Sequence, residues 1–382
     1  MISRFFKYGL FILWTVMLLI QVRKIPINGN FVYIFLGINL FFSFFILYKN
    51  PKILINKSFI PLLLISIINI IYFLFIDRTY NSFLYVLAKL STFLLIIISI
   101  YYYFDYIAKN ISKIIILIGL MVVFYGVIVN PNFFGMRYSG PFGNPNSLGF
   151  LSALLFGLTY LKSTKNYKTI FILIFLLFLV MLSGSRAAFG GVILAILLQG
   201  TFSFKKILYI IAGIIALIGA QNIASKVGVH TGLERIIKSE KSNELLSGRE
   251  KEYALGILTI KESPILGNGL DKYAWISPKI IRESGLRRID PNFVGNPHNS
   301  YIAMFIMYGI PTGLIILVVL IYYILKIIFT GVKQQDLLFL LLYTFIGSFF
   351  ESRLFGVSGF EGLLFWIVLP LILTVIYQRQ QS

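Results

Sequence analysis

Four short polar segments after Asn130 carry the residue types best suited to chemistry in this sequence. They are Arg137 to Asn146 (RYSGPFGNPN), Ser183 to Arg186 (SGSR), Arg249 within the run SGRE, and Asn296 to Tyr301 (NPHNSY). Guanidinium groups bind anions, and a helix N-terminus, which we predict at Arg249, favours the same ligands. Histidine titrates near neutral pH, so His298 is a candidate general base. These residue types indicate anion binding beside a site of proton transfer.

Each segment also has a structural interpretation, which the sequence leaves open. Residues 137–146 have the Gly, Pro and Asn content of a turn followed by a helix cap. Arg186 suits an anchor at the membrane interface, and Arg249 suits a solvated charge in a first helical turn. His298 and Asn299 suit a helix-capping pair. A joint function therefore requires that the fold bring the segments together.

The remaining residues exclude several other kinds of chemistry. With two histidines and no cysteine, the chain lacks the ligands of a usual zinc site and cannot form disulfides. Its 14 acidic residues form no close pair on the predicted outer side apart from Glu351 and Glu361. There is no serine-nucleophile elbow, and Gly267-Asn268-Gly269 is not a complete phosphate loop. We interpret His230 as a solvated loop residue.

Membrane helices are the elements that must position these residues. The 382 residues are 58% hydrophobic and 13% charged, and their mean hydropathy is +0.88, which is too apolar for a soluble globular protein. Because about 20 apolar residues span the hydrocarbon core, we predict an all-α polytopic membrane protein with about twelve transmembrane helices. They lie at residues 5–21, 31–48, 59–76, 83–103, 113–129, 147–161, 168–183, 187–203, 206–223, 299–325, 336–350 and 360–377. No small-residue cleavage site follows the first helix, which is therefore expected to be retained.

The formal net charge of +20 reflects topology rather than nucleic-acid binding, because Lys and Arg concentrate in short segments between apolar runs. One set of alternate loops contains fifteen: Arg4, Lys7, Lys49, Lys52, Lys57, Lys109, Lys113, Lys162, Lys165, Lys168, Lys205, Lys206, Lys326, Lys333 and Arg379. The other contains six: Arg23, Lys24, Arg78, Arg137, Arg186 and Arg353. Cytoplasmic loops accumulate Lys and Arg, so both termini are predicted to be cytoplasmic. The four polar segments are then extracytoplasmic.

One long hydrophilic stretch, 224–297, is assigned to the outer side from its neighbours, because long loops do not follow the charge rule. Within it, Ser247 to Glu250 has capping-box spacing, and an apolar stripe follows at Tyr253, Ala254, Ile257 and Leu258. This pattern predicts an amphipathic helix ending before Pro264, either in the membrane interface or against the bundle. The predicted regions are an N-terminal scaffold (1–130), helices with substrate-binding loops (131–223), the large loop (224–297) and C-terminal helices (298–382).

In this order, the motifs resemble those of the O-antigen ligase and O-antigen polymerase superfamily, membrane enzymes that transfer sugars from polyprenyl-diphosphate carriers. The matching pieces extend from Arg137 to Gly313: Arg137 to Asn146, SGSR, Gly248-Arg249 with Tyr253, Pro264-x-x-Gly267-x-Gly269, His298-Asn299 and Gly309. Tyr253 stands where many relatives carry Trp, a departure that concerns local packing. The N-terminal helices match in hydropathy alone.

The resemblance implies a GT-C-like membrane glycosyltransferase without a nucleotide-sugar domain. Arg186 and Arg249 would clamp the donor diphosphate, assisted by Arg137, and no metal or other cofactor would be required. His298 would accept the proton of the acceptor hydroxyl as it attacks the anomeric carbon. A single displacement of this kind inverts the anomeric configuration.

Four further polar residues have expected roles around the site. Asn144, Asn146 and Asn299 would shape the site. Lys89 lies inside the fourth predicted helix, where a charged residue suggests a function. It would either snorkel towards the interface or approach the phosphates of the lipid carrier.

The activity implied is that of a polymerase in a bacterial cytoplasmic membrane. It would join polyprenyl-diphosphate-linked oligosaccharide repeat units into a capsule, O-antigen or exopolysaccharide. One alternative is a ligase that transfers glycan to a lipid core, a wall polymer or a protein. Another is a polysaccharide transporter or flippase, although transporters usually place coupling charges near the membrane midplane. Expected partners are the lipid-linked donor and acceptor, the bilayer, a flippase and a chain-length regulator, but no nucleic acid.

Overall fold

In the computed structural model, the described residues are 2–23, 25, 27–131, 133, 137–164, 166–199, 208, 211, 215, 249–270, 275–285, 295–357 and 359–380. Over this part of the chain the regular structure is helical, and β pairing is limited to an isolated bridge between Val22 and Phe142. The all-α prediction is confirmed. The helices are α1 (Ile2–Ile20), α2 (Asn30–Lys49), α3 (Ile60–Phe75), α4 (Tyr80–Val129), α5 (Pro145–Lys162), α6 (Tyr167–Ser183), α7 (Arg186–Leu198), α8 (Arg249–Glu262), α9 (Pro278–Glu283), α10 (Ser300–Thr330), α11 (Gln335–Gly347) and α12 (Phe360–Arg379).

Six described helices are long and apolar enough to cross a membrane: α1, α2, α3 with the short turn before it, α4, α10 and α12. Helices α6, α7 and α11 are apolar but shorter. The protein is therefore a multi-pass membrane protein. The total of about twelve spans stays a prediction, because the helix predicted at 206–223 falls outside the described residues except at 208, 211 and 215. His230 and Ser247-Gly248 also lie outside the described residues.

Helix α4 corresponds to two predicted helices, 83–103 and 113–129, with no loop between them. It contains 50 residues, and its helical geometry is interrupted at Tyr103, where φ is −128° and ψ is 30°. At a rise of about 1.5 Å per residue, each half is long enough to span the hydrocarbon core. The two predicted helices correspond to the two halves of α4, but the structure joins the halves directly rather than through a loop.

Contacts at its ends show that α4 crosses the bundle and returns. Near its start, the Tyr85 hydroxyl donates a hydrogen bond to the carbonyl oxygen of Phe355 (2.9 Å). Near its end, Gly126 packs against Pro141. The interruption instead meets the start of α1, where the hydroxyl of Ser3 lies 2.6 Å from that of Tyr103. Both ends of α4 thus lie on the side that carries the polar loops.

Helix α10 is also interrupted, at Gly309, where φ is 70° and ψ is 177°. A break inside a membrane helix frees backbone groups that water cannot reach, so they need partners within the protein. The loop after α8 supplies them. The N–H of Asn268 donates to the carbonyl oxygen of Ile306 (2.7 Å), and that of Gly269 donates to Met307 (3.2 Å).

The same loop explains the Pro264-x-x-Gly267-x-Gly269 motif. The carbonyl oxygen of Pro264 accepts a hydrogen bond from the N–H of Ile310, at 2.7 Å. A Cβ atom added to Gly267 would lie 2.4 Å from the backbone nitrogen of Gly309. Glycine is required because the two backbones touch at this point. The motif therefore joins the loop to the broken helix.

Helices α5, α7 and α11 pack closely together, and all three contribute residues to the candidate site described below. A Cβ atom on Gly157 of α5 would lie 2.1 Å from the Phe339 ring of α11, and one on Gly191 of α7 would lie 2.2 Å from the Tyr343 ring. Such glycines let membrane helices approach closely. Helix α12 runs through the centre, with 94% of its most apolar 18-residue window buried.

Helix α8 ends at Glu262, as predicted, but its packed face differs from the predicted stripe. Ile257 and Leu258 are exposed, whereas Leu255, Gly256 and Thr259 are buried. The reason is local: Gly256 leaves room for the Ile302 side chain of α10, with which a Cβ would collide at 2.6 Å. Close packing of α10 side chains against Gly256 therefore prevails over the burial of the larger apolar residues of α8.

Candidate active site

The four polar segments meet in one cavity at one end of the helix bundle. Its volume is about 270 Å³. Among its lining residues are Arg137, Asn146, Gly184, Ser185, Arg186, Arg249, Tyr253, His298, Tyr343, Glu351, Arg353 and Glu361. A joint function required that the fold bring these four segments together, and residues of all four line this cavity.

Helix N-termini surround the cavity. The first turns of α5, α7, α8 and α12 each contribute a lining residue, respectively Asn146, Arg186, Arg249 and Glu361. A helix N-terminus carries a partial positive charge and directs N–H groups outward. The backbone thus adds to the positive charge of the arginines.

The connection between α6 and α7 is a tight turn that places Arg186 at the cavity. Gly184 ends α6 in the left-handed conformation, with φ 60° and ψ 26°. The Ser185 hydroxyl then caps α7 by accepting a hydrogen bond from the N–H of Ala188, at 3.4 Å. A Cβ on Gly149 of α5 would lie 2.6 Å from the Ser183 hydroxyl, so the turn is pressed against α5.

Arg137 is held between this turn and the start of α5. Its Nε donates to the carbonyl oxygen of Ser183 (2.8 Å), and its Nη2 donates to the side-chain oxygen of Asn146. The Asn146 amide in turn donates to Oε1 of Glu351, at 3.0 Å. Segments 137–146 and 183–186 are therefore connected to the loop after α11.

Glu351 is the centre of the hydrogen-bond network. Its Oε1 also pairs with Nη2 of Arg249 (2.8 Å), and its Oε2 lies 3.2 Å from Nδ1 of His298. Burial alone would raise the pKa of Glu351, but the hydrogen bond with His298 and the charges of Arg353 and Arg249 lower it to about 2. Glu351 is consequently a carboxylate at any physiological pH.

His298 precedes α10 with an unusual backbone, having φ of 44°. The side chain of Asn296 stabilises this turn by accepting a hydrogen bond from the His298 N–H, at 2.8 Å. Because Glu351 is ionised, a neutral His298 donates from Nδ1 and carries its lone pair on Nε2. Nε2 lies 3.9 Å from Oε1 of Glu252 in α8.

Arg353 also lines the cavity. It forms an ion pair with Glu361 and donates to the Ser147 hydroxyl at 3.1 Å. Burial lowers the pKa of Arg353, while Glu351 opposes the shift. The backbone N–H of Arg353 also donates to the Ser300 hydroxyl (3.0 Å), which ties the loop after α11 to the start of α10.

Of the predicted site residues, five line the cavity: Arg137, Asn146, Arg186, Arg249 and His298. Asn144 is exposed and caps α5 by accepting from the N–H of Asn146, at 2.9 Å. Asn299 caps α10 by accepting from the N–H groups of Tyr301 and Ile302. For these two the structural interpretation describes what the side chains do, and a site-shaping role stays a prediction.

Lys89 does not extend towards the interface, and its approach to the phosphates of the lipid carrier stays a prediction. It is buried, and its ammonium donates to the carbonyl oxygen of Gly356 at 2.7 Å. It does not line the cavity. Lys89 thus connects α4 to the loop after α11, the same loop that contains Glu351 and Arg353.

Glu351 and Arg353 both line the cavity, although neither was among the predicted site residues. The run Glu351-Ser352-Arg353 directly follows an apolar helix, and charged residues next to a membrane span are candidates for a functional role. This sequence pattern could have identified both residues. Which partners these residues take is visible only in the fold.

The fold and the site define a multi-pass, all-helical membrane protein with an arginine-rich cavity at one end of its bundle. A sequence model of a family described as O-antigen ligase matches residues 171–318. The match confirms the resemblance to the O-antigen ligase and polymerase superfamily, whose members are glycosyltransferase-like enzymes. It includes Arg186, Arg249 and His298, whereas Arg137 and Glu351 lie outside it. No curated protein matches the chain.

Proposed function

We propose that this protein is a polymerase that joins polyprenyl-diphosphate-linked oligosaccharide repeat units into a surface polysaccharide. The reaction takes place on the extracytoplasmic face of the cytoplasmic membrane and inverts the anomeric configuration. The observation that carries this proposal is the meeting of Arg137, Arg186, Arg249 and His298 in one cavity.

The charge of the cavity supports a diphosphate as ligand. Among the described residues, four arginines line it, Arg137, Arg186, Arg249 and Arg353, against two glutamates, Glu351 and Glu361. The first turn of α7 adds oriented N–H groups beside Arg186. Guanidinium groups and helix N-termini both stabilise the negative charge that a departing diphosphate develops.

The His298 geometry supports a general base. With the Nδ1 proton directed to Glu351, Nε2 is free to take the proton of the acceptor hydroxyl. The hydroxyl oxygen forms a bond to the anomeric carbon, and the bond from that carbon to the diphosphate oxygen breaks. The electron pair leaves with the diphosphate, which needs no proton because its charge is balanced by the arginines.

A ligase is the second candidate, favoured by the description of the family that matches residues 171–318. Both reactions use the same donor and the same base. They differ only in the acceptor, which is a second lipid-linked chain for a polymerase and a lipid core, wall polymer or protein for a ligase.

The test uses purified protein in nanodiscs with a lipid-diphosphate-linked repeat unit, without nucleotide or added metal. A ladder of multiples on a gel is the result expected for a polymerase. Transfer of one unit only to an added second acceptor would support the ligase. Absence of transfer from every native donor would contradict both and favour transport.

His298→Ala tests the base directly. General-base catalysis typically contributes about 10²- to 10⁴-fold, so the variant is expected to lose that share of its transfer rate. Its thermal unfolding in detergent should still show a cooperative transition, as expected of a folded protein. Arg282→Ala, at an exposed position on α9, is the matched control and should keep full activity. Normal transfer by His298→Ala would remove His298 from the mechanism.

A further inference from the structure

A second carboxylate faces His298 from the side opposite Glu351. Glu252 lies on α8, one turn after Arg249, and its Oε1 is 3.9 Å from Nε2 of His298. Its other oxygen, Oε2, is buried and has no hydrogen-bond partner among the described residues. A buried carboxylate oxygen without a partner is costly, so its presence at this place calls for a functional explanation.

The charges around Glu252 come from three parts of the chain: Arg249 in α8, His298 before α10 and Glu351 after α11. Burial raises the pKa of Glu252, His298 and Arg249 lower it, and the carboxylate of Glu351 raises it, with a net increase. Arg353 faces the same group of charges from the loop after α11. Glu252 therefore holds a proton more readily than an ordinary glutamate does, whereas Glu351 remains ionised.

The proposed transfer releases one proton in every cycle. The acceptor O–H bond breaks, its proton goes to Nε2 of His298, and the departing diphosphate takes no proton. The imidazolium must then lose that proton before the next cycle. Glu351 is unsuited to accept it, because Glu351 contacts Nδ1 and is bound by Arg249 and Asn146.

We propose that Glu252 is a positioning residue that acts through His298. It stabilises the proton on Nε2 and passes it towards solvent, so that His298 is restored as a base. Glu351 orients the ring at Nδ1, and Glu252 serves Nε2, where the transferred proton arrives. This inference rests on the proposed glycosyl transfer.

The decisive variant is Glu252→Gln, which keeps the size of the side chain and removes its ability to take a proton. Turnover is expected to fall by about tenfold or more, a part of the range typical of general-base catalysis. The acidic limb of the pH profile of kcat/KM should move to lower pH, because Nε2 loses a facing negative charge. Glu250→Gln, on the same helix turn but exposed, should change neither quantity.

A purely structural role for Glu252 would reduce the amount of folded protein or its unfolding temperature without moving the pH profile. That outcome, or a Glu252→Gln enzyme with the parent rate and parent profile, would overturn the proposal. Glu252→Asp keeps the carboxylate and should restore part of the turnover.

The His298→Ala variant separates this proposal from the one on which it rests. If His298→Ala is inactive while Glu252→Gln is unchanged, only the role of Glu252 is wrong. If His298→Ala transfers glycan normally, the general-base mechanism fails as well.

Discussion

At the scale of single residues, Glu351 joins groups from three separate parts of the chain. It binds Asn146 at the start of α5, Arg249 at the start of α8 and His298 before α10. A carboxylate that orients a histidine fixes which ring nitrogen is basic, as it does in enzymes with a histidine base. The same carboxylate offsets part of the positive charge of the cavity before substrate binds.

Glu351 is also expected to make stability depend on acid pH. Folding lowers its pKa from an ordinary value of 4.5 to about 2. A group whose pKa is lowered stabilises the fold above its ordinary pKa, and this contribution is lost as the pH falls through the folded value. The unfolding temperature should therefore fall between about pH 4.5 and 2 more steeply for the parent protein than for Glu351→Gln.

The measurement is thermal unfolding in detergent over that pH range, followed by tryptophan fluorescence. Glu283→Gln, at an exposed position on α9, provides the control and should follow the parent curve. Equal slopes for the parent protein and Glu351→Gln would show that the carboxylate gains nothing on folding.

At the scale of elements, the geometry of the site depends on where four helices begin and on where α10 is interrupted. The first turns of α5, α7, α8 and α12 bring N–H groups and side chains to one cavity. The loop after α8 is locked into the break of α10, which fixes α8 relative to His298. Rigid elements of this kind keep the charged groups in place without bound substrate.

The break in α10 predicts a strong effect of Gly309→Ala. At φ 70° and ψ 177° the backbone lies in a region almost confined to glycine, and an added Cβ would be 2.2 Å from the carbonyl oxygen of Ile265. The strain alone costs about 1–3 kcal/mol, and the collision adds to it. We expect a lower unfolding temperature and little folded protein in the membrane.

Two glycines serve as controls for that variant. Gly331 also has a positive φ of 66°, but nothing lies within 4 Å of its added Cβ, so Gly331→Ala should cost less. Gly190→Ala, within helix α7 and also open, should be neutral or stabilising. If Gly309→Ala behaved like Gly190→Ala, the packed break would not be needed for folding.

At the scale of the whole molecule, the two ends of the bundle differ in character. The cavity end is rich in arginine, whereas lysines meet at the other end. There, Lys162 pairs with Asp336 (2.7 Å), which also accepts a hydrogen bond from Ser112. Lys7 lies 4.5 Å from the ring centre of Tyr106. Because cytoplasmic loops accumulate basic residues, we expect the lysine end to face the cytoplasm.

Labelling of single cysteines tests this orientation, and the natural chain has no cysteine to interfere. Arg282→Cys lies on α9, which packs against Leu255 of α8, and Lys333→Cys lies between α10 and α11. Both positions are exposed. In intact spheroplasts, a membrane-impermeant maleimide should label the first and not the second. After lysis both should react. The reverse pattern would invert the topology and contradict an extracytoplasmic site.

The sequence alone determined the properties that depend on neighbouring residues. Apolar runs about as long as a bilayer is thick defined the helices, since length and hydropathy are local. The arginines and His298 became candidates because guanidinium and imidazole groups have the same chemistry wherever they lie in a chain. The predicted end of α8 before Pro264 was also correct.

Tertiary structure decided which of these residues act together. Glu351 contacts His298 across 53 positions and Arg249 across 102, and no local pattern records such distances in the chain. The packed face of α8 was likewise set by room beside Gly256 rather than by its own apolar stripe. Hydropathy places a helix in the membrane, but steric fit and charge pairing between distant segments decide what its side chains touch.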